Sequence, residues 1–145
     1  MTRISLLLLA AVLSASNLGC ATTETRQADD GVFIHIQSGP DNPHAVLMGM
    51  QMASMMAEDR DTLIYFDVDG IDVITNDAPN LSMEPFGSSH ETLAKLIDSG
   101  VSVYACPGCL KAAGKTPDDL MSGVRVAEKD AFFDFTDGRI LTLDY

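Results

Sequence analysis

The chain reads as an α/β protein, a three-layer α/β/α sandwich on an open, mainly parallel sheet of about five strands. Three observations predict it. The apolar runs VFIHIQ (Val32–Gln37), TLIYFDV (Thr62–Val68) and VSVYA (Val101–Ala105) are near-continuous, the pattern of strands covered on both faces. Turn chemistry and a helix-favouring stretch follow each run, so strands and helices alternate. The 145 residues leave room for one core, and no internal repeat divides them.

Residues 1–20 stand outside that domain. Arg3 is followed by the apolar stretch Ile4–Leu13 and then by small or polar residues, the layout of an export signal and too short for a membrane-spanning helix. SNLGC (Ser16–Cys20) reads as a lipoprotein box, with Cys20 as the lipid attachment point, although Asn17 stands where a leucine is usual. Ala21 in the next position predicts an outer-membrane lipoprotein facing the periplasm; ordinary secretion is the competing reading. Residues 21–31 (ATTETRQADDG) are a polar, flexible tether, and the domain occupies 32–145.

Within the domain, Val32–Gln37 is the first strand, and SGPDNP (Ser38–Pro43) is dense turn chemistry that starts a helix over His44–Asp59. Thr62–Val68 is the second strand, closed by Asp69-Gly70. A loose stretch over Asn76–Ser88 caps a helix over His90–Asp98, which Gly100 stops. The strand Val101–Ala105 runs into a helix over Cys106–Ala113, with Gly114 as its stop. Thr116–Asp119 starts a short helical turn. Val124–Val126 is a brief strand, Glu128–Phe135 a helix, and Ile140–Leu143 the last strand.

The formal charge of −12 excludes a nucleic-acid-binding surface, and anionic headgroups would repel it too, so any membrane contact must come through the lipid. Of the three cysteines, Cys20 belongs to the leader and the others form Cys106-Pro107-Gly108-Cys109, so no disulfide framework builds the fold. The tetrad sits where a strand ends and a helix begins. Unpaired N–H groups and about half a positive charge at a helix start favour a thiolate, the nucleophilic form. In such settings a thiol pKa falls from near 8.5 to between about 3.5 and 7.5. Cys106 is therefore the expected nucleophile and Cys109, one turn on, the resolving thiol. Lys111 and Lys115 lie too far along the helix to act on the thiolate, and complement its C-terminal dipole instead.

Sites in parallel sheets form beyond the carboxyl ends of the strands. The loops Ser38–Pro43, Asp67–Gly70, Cys106–Cys109 and the one near Glu128 meet at that edge, so His44, Asp41 and Asp69 are supporting candidates. His44 is more simply a solvated helix-start histidine, and His35 and His90 read as structural. No second CxxC completes a zinc site, and Asp67, Asp69 and Asp72 lack the spacing of a calcium loop, so neither a resident metal nor a cofactor is expected. Met48, Met50, Met52, Met55 and Met56 crowd one helix; soft thioethers suit Cu(I), but core packing explains them more simply. That helix is apolar nearly all round, which predicts a subunit contact and an oligomer.

GVFIHIQSGPDNPHAVLMGMQMA, TLIYFDVDGIDVI and VYACPGCLKAAG together resemble the DsrE/DsrF-like family over nearly all of Gly31–Tyr145. The most specific parts are the SGPDNPHA loop, the Asp69-Gly70 turn, and Cys106 with Gly114 eight residues later. The resemblance implies a parallel α/β/α sandwich assembled as a homo-trimer or hexamer, with sulfur carried as a persulfide on Cys106. It also implies a sulfur donor or acceptor protein as partner. Family relays for tRNA thiolation or sulfur oxidation are cytoplasmic and generally lack a counterpart of Cys109, whereas this chain is read as exported. An adjacent thiol would attack a persulfide and release sulfide. The leading expectation is a sulfur-handling envelope protein that accepts sulfane sulfur or exchanges disulfides at Cys106, a sulfurtransferase if it turns over. The alternatives are an oligomeric binding module for Cu(I) or a small ligand, and an interaction protein with an inert or oxidised pair.

Overall fold

A computed structural model describes residues 30–135 and 138–145. In chain order the elements are β1 (Gly31–Ile36), α1 (Pro43–Met56), β2 (Asp61–Phe66), a 3₁₀ turn (Val68–Val73), β3 (Ser82–Met83), β4 (Gly87–Ser88) and α2 (Ser89–Asp98). There follow β5 (Ser102–Ala105), α3 (Pro107–Ala112), a 3₁₀ turn (Pro117–Asp119), β6 (Arg125–Val126), α4 (Lys129–Phe135) and β7 (Ile140–Asp144). Among the described residues no helix is long and apolar enough to cross a membrane. The expected leader, Cys20 and nearly all of the tether lie outside the described residues.

The main sheet has five strands in the order β6-β5-β2-β1-β7, every neighbouring pair parallel, and this is the α/β fold that the strand pattern predicts. Register assigns the faces. Ile34 pairs with Ile64 and Leu143, and Ile64 with Val103, so these side chains share one face. They form the core with Val46, Met50 and Ala53 of α1, Leu93 and Leu96 of α2, and Leu110 of α3. On the other face stand Phe33, His35, Tyr65 and Tyr104, also paired in register. Here α4 packs: a Cβ on Gly31 would lie 2.9 Å from the Phe135 ring. Among the described residues that layer is one seven-residue helix, and Phe33, His35 and Tyr65 are half-buried.

Local chemistry sets the boundaries. Asn42 caps α1 by accepting from the Ala45 N–H, and Pro43 occupies the first turn, where a missing N–H costs nothing. The helix ends at Met56, short of the expected Asp59, because Glu58 and Asp59 would place negative charge at the negative end of the dipole. Ser88 caps α2 and also donates to Asn80, tying the helix start to a two-stranded hairpin, β3–β4, inside the stretch expected to be loose. Gly114, at φ +70°, takes the left-handed conformation that ends the run after α3. Lys115 then points away from the helix to pair with Asp77 at 2.6 Å, which corrects its expected dipole role. Of the methionines of α1, Met50 is buried, Met48, Met52 and Met56 are half-buried, and Met55 is 50% exposed.

Candidate functional site

β5 delivers Cys106 to the carboxyl edge of the sheet, where the Cys106 N–H donates to the Phe66 carbonyl at 2.8 Å. Cys106 then becomes the N-cap of α3: its sulfur accepts the Cys109 N–H at 3.3 Å, and Pro107 fills the first helical position. A side chain that accepts backbone N–H bonds at a helix start is most stable as an anion. Both cysteines are free thiols and half-buried.

The neighbours come from β2. Tyr65 pairs in register with Tyr104, two residues before Cys106, so it stands on the Cys106 side of the sheet edge. Burial works against the Cys106 thiolate, but the bonds from Tyr65, from the Cys109 side chain and from the N–H groups of Cys109 and Gly108 outweigh it. The thiol pKa is held below the usual range. Cys109 moves the other way: its bond to the Cys106 sulfur raises its pKa more than the Val68 N–H lowers it, and burial adds to the rise. Tyr65 is pushed well above the ordinary phenol range by burial and by the negative charge it faces on Cys106, so it stays a donor. The two thiols thus differ in acidity, Cys106 shifted down and Cys109 shifted up.

Val68, whose N–H works to lower the Cys109 pKa, takes an unusual conformation, φ +47°, in which a β-branched residue is strained. Its side chain is 57% exposed. The strand expected to reach Val68 therefore stops at Phe66, and the chain turns into the 3₁₀ segment that places this N–H.

A second group stands beside Tyr65. His35, expected to be structural, lies between two carboxylates: Nε2 is 2.9 Å from Asp67 Oδ2, and Nδ1 is 2.9 Å from Asp144 Oδ1. Burial lowers its pKa, Asp67 and Asp144 raise it, and the rise prevails. The link joins the ends of β1, β2 and β7. The His35 ring lies 5.8 Å from that of Tyr65, and Phe33 stands 6.0 Å from each. Period-two alternation from Ile34 and Ile36 was the sequence signal that put His35 on the same face as Tyr65.

The other candidates do not gather at the thiols. The order of strands reverses at β1, so the switch-point crevice lies between β1 and β7, two strand positions from β5. A cavity of about 590 Å³ occupies it, lined by Ser38, Asp41, Asn42, Val68, Asp69 and Tyr145 among others. Asp41 and Asp69 are exposed in its wall, and Val68 connects it to the cysteines. The Ser38–Asn42 loop is packed on the Asp69 turn so closely that a Cβ on Gly39 would meet the Asp69 carbonyl oxygen at 2.7 Å. His44 is exposed and its ring lies tilted against Phe86, in the turn between β3 and β4, at 5.4 Å between centroids.

Comparison with known proteins agrees with this architecture. The structure is similar to the ychN protein of E. coli, with a TM-score of 0.62 at 17% identity over 79% of this chain and 99% of that one. It is also similar to MTH1491 of Methanobacterium thermoautotrophicum, a protein of unknown function, with a TM-score of 0.56 at 22% identity over 80% of this chain and 100% of that one. At these identities the likeness is one of fold. No curated protein matches the chain. The DsrE/DsrF-like family model matches residues 30–139, spanning β1, both cysteines and α4, and the chain belongs to that family.

Proposed function

We propose that this protein handles sulfane sulfur at the cell envelope, with Cys106 as the accepting nucleophile and Cys109 as the thiol that can resolve the adduct. The observation that carries the reading is the Cys106 sulfur capping the start of α3, where it accepts the Cys109 N–H at 3.3 Å. In the loading step the Cys106 thiolate attacks the outer sulfur of a sulfane donor. A new S–S bond forms, the bond to the donor breaks, and the donor leaves with that electron pair as a thiolate or equivalent anion. Two exits follow. An external thiolate takes the outer sulfur and regenerates the Cys106 thiolate, or Cys109 attacks the Cys106 sulfur, leaving a disulfide and expelling sulfide. With a disulfide partner in place of a sulfane donor, the same pair performs thiol–disulfide exchange.

The rest of the proposal rests on sequence and surface. The charged, apolar and small-residue order of residues 1–20 and the SNLGC box support export and lipid attachment at Cys20, facing the periplasm from the outer membrane. Half-exposed Met55, exposed Leu141 and the thin layer on the second sheet face support homo-oligomerisation. The switch-point cavity favours a second reading, a module that binds a small ligand without turnover.

Incubation of the reduced protein with inorganic polysulfide, followed by desalting and intact-mass measurement, separates the two. Sulfur handling gives a gain of about 32 Da, one sulfur atom, that Cys106→Ser abolishes. No gain on the parent protein refutes it and leaves the binding module.

A further inference from the structure

We propose that the cavity lined by β5, β6 and α4 is a binding site for a small monocarboxylate with an aliphatic body, held by Arg125. The inference makes no use of the chemistry at Cys106, and each stands or falls without the other.

The setting of Arg125 is unusual in so acidic a chain. Arg60, Lys95, Lys115 and Arg139 each lie within ion-pair distance of a carboxylate. Among the described residues, Arg125 has no carboxylate at such a distance. Its guanidinium is nonetheless fixed: a terminal N–H donates to Ser102 Oγ at 2.9 Å, and Cζ lies 4.5 Å from the centroid of the Tyr104 ring. Register explains the stacking, since Arg125 pairs with Tyr104 across β6 and β5 and both side chains leave the sheet on the same face. A guanidinium presents its donors in a planar fork, and Ser102 occupies only one of them. The rest of the fork matches a carboxylate, and much of the entropy cost of ordering the long side chain is incurred on folding, before any ligand arrives.

These donors border a cavity of about 480 Å³, a size within the range of small-molecule sites. Its apolar wall is made by Pro117, Leu120, Val124 and Val126 with the Tyr104 ring, and Leu120, Val124 and Tyr104 are buried. The wall is preformed. Asp119 accepts from the Thr116 N–H at 2.7 Å and from its hydroxyl at 2.9 Å. The Met121 N–H donates to the Ile74 carbonyl at 3.0 Å, so the segment carrying Pro117 and Leu120 is tied down at both ends. Arg125 is exposed, so solvent screens its charge and an anion alone would be held weakly. An aliphatic body buried against the wall supplies what the charge lacks. Exposed Glu128 also lines the cavity. Its charge opposes a second negative charge on the ligand, which favours a monocarboxylate over phosphate or a dicarboxylate.

Octanoate is the probe. It is titrated into the isotope-labelled full chain, with octanol and inorganic phosphate in parallel, and backbone amide shifts are followed by NMR. Octanoate should give saturable shifts centred on Leu120, Val124 and Val126. Octanol, a chain of the same length without the charge, should bind about fivefold more weakly, and phosphate should not saturate these amides. Arg125→Gln should weaken octanoate by about fivefold and leave octanol unchanged, a split that altered packing alone would not produce. The comparison of octanoate with octanol is made on the parent protein and needs no variant to fold. Absence of saturable octanoate shifts at these residues overturns the inference. So do equal affinities for octanoate and octanol, phosphate saturating the same amides, or a folded Arg125→Gln protein that binds octanoate as the parent does.

Discussion

Replacing Gly70 with alanine tests how tightly the site loop is seated. Gly70 follows the strained Val68 and donates its N–H to the carbonyls of Asp67 at 2.8 Å and Gln37 at 3.0 Å. A Cβ built there would stand 2.3 Å from the Ile36 carbonyl oxygen, where ordinary contact begins at 3.4 Å, so backbone must yield by about 1.1 Å (3.4 − 2.3). Ile36 is itself fully buried at the end of an inner strand, and the clash is with its backbone oxygen, so no flexible side chain absorbs the shift. Overpacking of this kind costs about 2–3 kcal/mol, and for a domain of this size each kcal/mol lowers Tm by about 3–6 °C. Gly70→Ala should therefore lower the Tm read by circular dichroism by about 6–18 °C. Gly108→Ala is the control, since its Cβ would meet only the Cys106 sulfur, at 3.8 Å, an ordinary contact. It should leave Tm unchanged or slightly raised, as alanine is the better helix former. A Gly70→Ala protein melting within about 2 °C of the parent would refute the packing argument.

Other perturbations have directions set by the same contacts. His35 has a raised pKa in the fold, so its link to Asp67 and Asp144 contributes fully below about pH 6.5 and fades as pH rises through the folded value. His35→Gln should accordingly lose about 1–2 kcal/mol at pH 5.5 and less at pH 9, measured by urea denaturation; an equal loss at both would contradict the link. Ser88→Ala removes the cap of α2 and the bond to Asn80, and should cost about 1 kcal/mol by the same assay, with no change identifying the cap as idle. Lys115→Ala breaks a pair whose Asp77 partner is 70% exposed, and should leave the urea midpoint unchanged, a clear drop contradicting the reading of the pair as solvent-screened.

The fold was legible because parallel strands carry their burial in sequence. Val32–Gln37, Thr62–Val68 and Val101–Ala105 each land within two residues of an observed strand boundary, and Cys106 falls at the strand-to-helix junction expected of it. What escaped is what depends on register and backbone torsion. His35, Tyr65 and Asp144 are far apart in sequence and meet only because β1 lies between β2 and β7. Nothing in a valine announces φ +47°, so the strained turn after β2 was hidden behind an ordinary Asp-Gly signal. The β3–β4 hairpin was hidden as well, since two-residue strands carry no period. His44 is exposed, as its simpler reading as a solvated helix-start histidine expects, and β5 and the crevice beside β1 are separated by β2.

The account depends most on the ionisation of Cys106. The direct measurement is the rate of iodoacetamide modification of each cysteine in the reduced protein against pH, resolved by peptide mass spectrometry. The account predicts a Cys106 midpoint below the value of about 8.5 for free cysteine and a Cys109 midpoint above it. A Cys106 midpoint at or above that of free cysteine would contradict it.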